Sequence, residues 1–408
     1  MLAPLTRRLR GKPLPPVAIA ERRRDHGAGL KTDPGPDSVI RACGNWLGRA
    51  QDCSASADGG VAHSYSLIDG WRSSYPETTG YIVPTLLDVA AWRTTSEHAE
   101  RARRMLDWLV AIQLSGGGFQ GGRIDADPIV PVTFNTGQIL IGLAAGTARV
   151  DTGYAPAMHA AARFLRDSQD ADGCWRRHPT PFAEAGDKAY ETHVALGLFH
   201  ADAAAPGHGY ASAGLRQVEW ALNRQRPNGW VADCCLSDPA RPLTHTLGYW
   251  LRGVIGAYDA SGDRRYLNAA QRMADALLTA QRPDGALAGR FGSDWRPAVR
   301  WVCLTGLAQI AECWWLLAAR TGEDAYVAPA RAANAFVRRT IDLDAADADR
   351  RGAVKGAFPV DGAYGPYQYL NWAAKFTIDA NLAELGADRD GHRGQSRLAR
   401  TDATQAPA

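Results

Sequence analysis

A repeat of 56 residues constrains the fold of this chain more than any other feature. Four glutamines recur at that identical spacing, namely Gln113, Gln169, Gln225 and Gln281. Five positions before each Gln stands an aromatic or apolar residue, and a turn rich in Asp, Asn and Gly follows. Gln51 begins the series and a degenerate copy at Ile341 ends it, which predicts six copies. A unit of this length cannot bury its apolar face alone and must stack on copies of itself.

Each copy predicts two helices. Apolar residues at helical spacing from Arg104 to Gln113 indicate a helix that ends at the glutamine. Glycine-rich turns then end each such helix, and the sixth turn is predicted at Asp361-Gly362. The segment from Thr136 to Ala145 predicts a second helix that is apolar on nearly all sides, as in a helix buried on both sides. Strand signals are scarce. Six outer helices around six inner ones predict an all-α fold, an (α/α)6 barrel or toroid built from six helix-hairpin repeats.

The unbroken repeat predicts one barrel domain over residues 36–385, although length alone would allow two domains. Residues 1–35 are predicted to be a basic, Pro-rich flexible arm, and residues 386–408 a disordered polar tail. The chain has no run of 18 apolar residues, so no transmembrane segment is expected. The arm lacks the apolar core of an export signal, which predicts a cytoplasmic protein.

The net charge of +3 is unevenly distributed. Up to Asp33 the chain has eight basic and three acidic residues, a local charge of +5, so the remainder carries about −2. A nucleic-acid partner is therefore not expected for the barrel. The arm is interpreted as solvated, with weak association to an anionic membrane surface or a partner protein as the alternative. Seven cysteines with no CxxC pair indicate reduced thiols, and no cofactor is expected.

The starts of the inner helices predict the functional site. Five of these starts can be aligned on a threonine, and the residue before it changes chemical type: Glu77, Asn135, Glu191, His245 and Leu304. A purely structural position would tend to keep one type. Helix capping is the alternative interpretation, because Asn is a favoured cap and Glu complements the helix dipole. Capping explains Asn135 well, the two glutamates only in part, and His245 poorly.

Aromatic and basic residues accompany these positions on the same predicted rim. Aromatic faces stack on sugar rings, and Arg side chains bind carboxylates with two parallel hydrogen bonds. Core packing is the alternative for any single residue, but their grouping favours a binding site. The predicted substrate-binding residues are Tyr75, Asn135, Trp175, His193, Trp230, Arg296, Arg300, Tyr364 and Tyr367.

Two chemistries fit this set. Glycoside hydrolysis needs a carboxylic acid and a second carboxyl group, and Glu77 and Glu191 are predicted to face each other across the barrel. Proton abstraction from a uronic acid, by a lyase or a C5-epimerase, needs a carboxylate neutraliser such as Asn135 or Arg300 and a base and acid from His or Tyr. Candidates for that couple are His245, His193, Tyr190 and Tyr367. Hydrolysis is the preferred hypothesis, with Glu77, Glu191, His245 and Tyr190 as catalytic residues and no metal.

The repeat and its rim resemble the six-fold α/α barrels of carbohydrate-active enzymes. These include unsaturated glucuronyl hydrolases, N-acylglucosamine 2-epimerases, glucuronyl C5-epimerases and the barrel domains of uronate lyases. Residues 74–85, 243–246 and 371–376 are similar to phrases in uncharacterised proteins associated with bacterial exopolysaccharide production. The resemblance implies an acidic bacterial glycan as the substrate and a place on the barrel mouth for the site. It transfers no catalytic residue.

A rival resemblance concerns isoprenoid enzymes. Phe164, Gln169 and the Gly173-Cys174-Trp175 turn are similar to the QW repeat of squalene and terpene cyclases, which share the barrel with protein prenyltransferases. The cyclases' Asp-x-Asp-Asp acid motif is absent, since residues 125–128 lack its final Asp. Residues 233–235 with His245 imitate the prenyltransferase zinc ligands at far too short a spacing. A further alternative is a non-catalytic glycan-binding barrel, which fits Leu304 and the missing sixth threonine but not the glutamates and histidine.

Overall fold

The computed structural model describes residues 13–27 and 29–402 of the chain. Within them lie thirteen α-helices, of which α1 (Pro16–Gly27) precedes the repeats. The outer helices are α2 (Pro36–Asp52), α4 (Glu97–Ala111), α6 (Ala155–Ser168), α8 (Tyr210–Leu222), α10 (Arg264–Ala280) and α12 (Val327–Arg338). The inner helices are α3 (Pro76–Arg93), α5 (Thr133–Arg149), α7 (Thr192–Ala204), α9 (Thr244–Ser261), α11 (Leu304–Thr321) and α13 (Asn371–Asp402). Short 3₁₀ turns span Thr152–Tyr154, Ala189–Glu191 and Asp324–Tyr326.

The twelve repeat helices form a closed ring. Each inner helix packs against the next inner helix, and α13 packs against α3 and α2, which closes the circle. The inner helices approach very closely, because a Cβ atom on Gly142 of α5 would lie 2.2 Å from the Gly80 carbonyl oxygen of α3. Large side chains of the inner helices, such as Tyr81, Trp250 and Trp314, are fully buried. The predicted (α/α)6 barrel is confirmed.

The repeated glutamine joins successive outer helices. Gln113 donates its side-chain N–H to the Gly117 carbonyl of its own turn at 2.9 Å and to the Ala157 carbonyl of the next outer helix at 3.0 Å. The equivalent bonds to the next outer helix come from Gln51, Gln169, Gln225 and Gln281. The accepting carbonyls lie near the starts of the next outer helices, so the amide supplies each with a second hydrogen bond beside its intrahelical one. The repeat is therefore a structural element of the ring.

From the second repeat onward, the glycine of each outer turn makes the same close approach. Gly117 has a φ of 86°, and a Cβ atom there would lie 2.5 Å from the Ala160 carbonyl oxygen of the next outer helix. Gly173, Gly229 and Gly285 stand in the same relation to α8, α10 and α12. In the sixth repeat Gly352 takes this role against Ala42 of α2. The prediction of the sixth turn at Asp361-Gly362 is therefore wrong, because Ile341 replaces the glutamine that marks the other turns.

Five short strands lie among the loops that precede the inner helices. β1 (Ser64–Ser66) pairs antiparallel with β2 (Gly70–Trp71) and with β5 (Gln368–Leu370). β3 (Val302–Cys303) pairs antiparallel with β4 (Ala357–Phe358). The loop before α13 is thereby joined both to the loop before α3 and to the loop before α11. These strands fix the loops at the mouth of the barrel where the inner helices begin.

The two ends of the chain differ from the prediction. Residues 16–27 of the predicted flexible arm form α1, whose Glu21 and Asp25 are buried. Arg7, Arg8, Arg10 and Lys12 of the arm lie outside the described residues. At the other end α13 continues to Asp402, into the segment predicted to be disordered. Among the described residues, no helix has both the length and the apolar character needed to cross a membrane.

Candidate functional site

Hydrogen bonds to the threonines correct the alignment of the inner helices. Thr79 Oγ1 accepts a bond from the Val61 N–H at 3.0 Å and donates to the Tyr75 carbonyl at 2.9 Å. In the next repeat, Thr136 Oγ1 accepts from the Phe119 N–H at 2.9 Å and donates to the Val132 carbonyl at 2.8 Å. Thr79 is thus the counterpart of Thr136, whereas the sequence alignment had used Thr78.

The corrected register changes which residues are equivalent. Glu77, Phe134 and His245 are each the second residue of their inner helix. Asn135 therefore lies one position deeper along α5 than the sequence alignment implied. The chemical type still changes from repeat to repeat at this position, from carboxyl to phenyl to imidazole. Variation at equivalent helix starts is therefore still present, but the residues that vary are Glu77, Phe134 and His245.

Glu77 is the centre of the site. Its Oε2 accepts hydrogen bonds from the Tyr75 hydroxyl at 2.8 Å and from Asn135 Nδ2 at 3.0 Å. The residue is only 8% exposed. Burial raises the pKa of Glu77 to about 7, although the bond from Tyr75 opposes the shift. Near neutral pH this carboxyl group is therefore present in both protonation states.

Five buried tyrosines lie within electrostatic reach of Glu77, and Tyr75 contacts it directly. The pKa of each is raised well above its usual value, first by burial, and the charge of Glu77 contributes to every one of these shifts. They are Tyr75, Tyr81, Tyr190, Tyr249 and Tyr364. All five hydroxyl groups stay protonated at neutral pH and can donate hydrogen bonds. Tyr81 and Tyr249 were not predicted, because they lie inside helices whose sequence indicates only core packing.

Two imidazoles flank Tyr249. The ring centroids of His193 and His245 lie 4.6 Å and 4.4 Å from that of Tyr249. His193 Nδ1 is 2.6 Å from Gln138 Oε1, and His245 Nδ1 is 2.7 Å from Gln309 Oε1. When the Nδ1–H donates to the amide oxygen, Nε2 of each neutral ring is left as an acceptor.

Both imidazoles are neutral at neutral pH. Burial lowers the pKa of His245 to about 4, while the bond to Gln309 opposes this. Burial, followed by the positive charges of Lys375 and Arg252, lowers the pKa of His193 well below its usual value. The two residues can thus act as unprotonated bases or hydrogen-bond acceptors, but not as resident cations.

An aromatic wall connects Tyr75 to His245. The His63 ring packs against Tyr75 at 5.1 Å and edge-on against Trp372 at 4.8 Å. Trp372 Nε1 donates to the Tyr364 hydroxyl at 2.8 Å, and the Tyr364 ring lies 5.5 Å from His245. His63 and Trp372 were not predicted as site residues. Trp372 occupies the sixth helix start, where the lost threonine was the only sequence signal.

Glu191 has separate surroundings from Glu77. Burial raises its pKa to about 8, and the charges of Lys188 and Asp187 act on it in opposite directions. Among the described residues, its Oε2 has no hydrogen-bond partner. The charges of both glutamates contribute to the raised pKa of Tyr190, after burial. The Tyr190 ring also packs against Phe134 at 5.2 Å, which places it at the edge of the tyrosine group.

The remaining predicted residues have other contacts. Trp175 donates its indole N–H to the Leu165 carbonyl, and Trp230 packs on Trp295. Arg296 is exposed beside Asp294, and Arg300 is exposed. Tyr367 is buried, with a φ of 58° and backbone bonds to Leu67 and Val360. In the described part of the chain, no three His, Cys, Asp or Glu side chains are arranged to hold a metal ion.

No protein-family model and no curated protein matches this sequence. Solved structures do match. An unsaturated glucuronyl hydrolase specific for heparin has a TM-score of 0.69 and 16% identity, over 87% of this chain and 99% of its own. The unsaturated glucuronyl hydrolase of Bacillus sp. GL1 has a TM-score of 0.68 and 14% identity, over 85% and 96%. Cellobiose 2-epimerase from Bacillus thermoamylovorans has a TM-score of 0.63 and 8% identity, over 89% and 98%.

The chain shares its fold with these sugar enzymes. At identities this low the likeness concerns the (α/α)6 barrel alone, and it assigns no catalytic residue. The resemblance seen in the sequence is confirmed at the level of the barrel.

Proposed function

We propose that this chain is an enzyme that hydrolyses a glycan, with Glu77 as the proton donor. The observation that carries the proposal is the pKa of about 7 for a buried carboxyl group at the centre of the inner-helix starts. Glycoside hydrolysis requires a carboxylic acid that is still protonated near neutral pH, so that it can protonate the leaving oxygen. Glu77 meets this requirement.

The partners of Glu77 support an acid role. Tyr75 and Asn135 both donate to Oε2, which leaves Oε1 as the atom to present the proton. When Oε1 gives its proton to the glycosidic oxygen, these two bonds stabilise the carboxylate that remains. They also fix the direction of the carboxyl plane. Loss of either bond is expected to raise the pKa of Glu77 and to make the orientation of its carboxyl group less fixed.

The second group required is one that activates water. Glu191 is the candidate predicted from the sequence, but its pKa of about 8 keeps it protonated at pH 7, which does not suit a base. His245 is unprotonated at that pH and lies beside Tyr249, one of the five tyrosines within electrostatic reach of Glu77. We therefore assign the base to His245 Nε2. The variant Glu191→Gln tests the alternative.

An acidic glycan is the substrate class that we propose. The Arg72 backbone lies beside His63, because its N–H donates to the Ser64 carbonyl at 3.0 Å, and the charges of Arg123 and Arg72 add to burial in lowering the pKa of His63 to about 3. Each guanidinium group also pairs with a carboxylate, Arg123 with Asp125 and Arg72 with Asp69. Guanidinium groups beside aromatic rings suit a uronate, whose ring stacks while its carboxylate pairs. The glucuronyl hydrolases that share the fold act on uronate-containing sugars by their names.

The imidazole pair favours a second candidate, a sugar epimerase or isomerase. The rings of His193 and His245 both pack on Tyr249, and both present an unprotonated nitrogen. Two bases that flank a sugar carbon can remove a proton from one face and, once protonated, return one to the other. The fold is also that of a cellobiose 2-epimerase.

A product analysis separates these functions. The wild type, Glu77→Gln and His193→Gln are incubated with uronate-containing and neutral oligosaccharides in deuterated and ordinary water. Hydrolysis adds one water per cleavage and creates no ultraviolet absorbance. An epimerase leaves the mass unchanged in ordinary water and incorporates deuterium in deuterated water. A lyase product absorbs and contains no added water. Cleavage that persists in Glu77→Gln contradicts the proposal, and deuterium uptake that requires His193 supports the second candidate.

A further inference from the structure

A buried ion cluster attaches α1 to the last loop of the barrel. Lys355 Nζ lies 2.7 Å from Glu21 Oε1 and 2.5 Å from Asp25 Oδ1. These three side chains are at most 3% exposed. Arg350 binds the other oxygen of Glu21 at 2.7 Å, and Arg24 also pairs with Glu21. Glu21 and Asp25 are four residues apart and therefore point to the same side of α1.

The cluster continues into the backbone of the loop that carries Tyr364. Asp25 Oδ2 accepts a hydrogen bond from the Val360 N–H at 2.8 Å. The Val360 carbonyl in turn accepts from the Tyr367 N–H at 2.8 Å, which closes the loop around Tyr364 at its base. Tyr364 then binds Trp372 through its hydroxyl group and packs on His245. A continuous series of contacts therefore runs from α1 to the site.

The charges explain why the loop needs α1. Lys355 is buried and Arg350 is largely buried, and buried cations are strongly unfavourable when no anion compensates them. In the described part of the chain, both carboxylates of the cluster that bind Lys355 come from α1. Without α1 the loop would have to turn both cations toward water. Such a movement displaces the loop from the mouth.

We propose that α1 belongs to the functional site, with Asp25 and Glu21 as positioning residues. They hold residues 355–367 in place and, through Tyr364 and Trp372, complete the wall beside His245. The positioning claim is structural, and only its effect on turnover rests on the proposed glycan activity. The segment that the composition presents as a basic arm is thus a part of the barrel mouth.

Hydrogen–deuterium exchange of the full chain tests the positioning claim without a substrate. Asp25→Asn removes the negative charge and leaves one side-chain oxygen and nearly the same volume. We expect the amides of residues 355–367 to exchange on the order of 100-fold faster, because removing one partner of a buried pair is strongly destabilising. The amides of α5 and α7 should exchange as in the wild type. The matched control is Arg23→Ala, an exposed position on the same helix, which should change neither region.

Two outcomes overturn the proposal. One is unchanged exchange over residues 355–367 in Asp25→Asn, and the other is a uniform increase over all inner helices, which indicates a general loss of stability. If Asp25→Asn fails to fold, the double variant Asp25→Asn/Lys355→Met replaces it, because it buries no uncompensated charge. It should fold and still exchange faster than the wild type over this loop. Wild-type exchange in the double variant also contradicts the proposal.

Turnover gives a separate readout. In Asp25→Asn we expect kcat to fall about tenfold while the pH at which activity is lost stays that of the wild type, since the surroundings of Glu77 are intact. A shifted pH profile would indicate that α1 acts on Glu77 itself, against the proposed route through Tyr364. If no glycan is turned over by the wild type, the proposed function fails but the exchange experiment still decides the role of α1.

Discussion

The outer turns and the inner-helix starts obey opposite rules within the same six repeats. At the outer turns a glycine recurs, and in five of the six repeats a glutamine side chain donates to a carbonyl of the next outer helix. At the inner starts the second helix residue is Glu77, Phe134 or His245, and each makes different contacts. A position that meets the same neighbour in every repeat keeps its residue. A position that shares one central space with its copies does not.

The reason lies in the symmetry of a closed ring. Each outer turn touches only the next repeat, so one local solution serves around the whole circle. The inner starts converge on a common axis, where a sugar has no six-fold symmetry and must meet an acid, a base and a stacking surface at different sides. A residue that is the same in successive repeats thus indicates a structural role. A residue type that differs between equivalent, buried, polar positions indicates a chemical role.

The largest expected effect comes from the inner starts. Glu77→Gln keeps the shape and can still accept bonds from Tyr75 and Asn135, but it cannot give a proton. We expect kcat on a glycan substrate to fall on the order of 1000-fold with the fold unchanged. The measurement is initial rates alongside circular dichroism. The control is Glu97→Gln at an exposed outer position, which should keep full activity.

A pH-dependent difference in stability should accompany this loss. The pKa of Glu77 is raised from 4.5 to about 7 in the folded state, so folding favours its protonated form. Its contribution is fully present below pH 4.5 and is lost as the pH rises to about 7. Relative to Glu77→Gln, the wild type should lose about 3 kcal/mol of unfolding free energy across this window. Urea unfolding of both proteins at pH 4, 5.5 and 7.5 measures it, and a difference that is independent of pH contradicts the assigned environment.

The same contrast explains what the sequence could predict. The barrel followed from the spacing of Gln113 to Gln281, since one interface repeated many times leaves a strong periodic signal. The sixth turn was misplaced because Ile341 interrupts that signal. Tyr75, Asn135, Tyr364 and the two histidines were named from their places at helix starts and loops. In the structure Tyr75 and Asn135 bond to Glu77, both histidines pack on Tyr249, and Tyr364 packs on His245.

Other residues of the candidate site could not be predicted from the sequence, for physical reasons. Tyr249 lies within α9, where aromatic residues normally indicate core packing, and only its position between two imidazoles marks it. His63 reaches the site through a strand pairing between β1 and β5, which are about 300 residues apart in the chain. Asp25 pairs with Lys355 over a similar separation. Local patterns contain no information about such long-range contacts.

A glycine substitution should damage the outer ring without touching the site. In Gly229→Ala, the new methyl group would lie 2.3 Å from the Arg272 carbonyl oxygen at a φ of 82°. Strain from the left-handed backbone adds to this clash, and we expect a loss of about 3 kcal/mol in unfolding free energy. Gly262→Ala is the matched control, since its φ is 71° but no atom lies within 4 Å. It should lose only about 1 kcal/mol, and equal losses would show that the close approach is unimportant.

The smallest effect is expected at a repeated glutamine. Gln169→Ala removes the bonds from its side-chain N–H to the Gly173 and Ala213 carbonyls, each 2.9 Å long. We expect a loss of about 2 kcal/mol, because two hydrogen bonds of a buried amide are lost at about 1 kcal/mol each. Gln225→Ala should have a smaller effect. Among the described residues, the Gln225 side-chain N–H donates only to the Ala269 carbonyl. This variant should lose about 1 kcal/mol in the same urea titration. If neither variant changes stability, the glutamine bonds do not hold the outer ring together. The recurrence of glutamine would then have another cause.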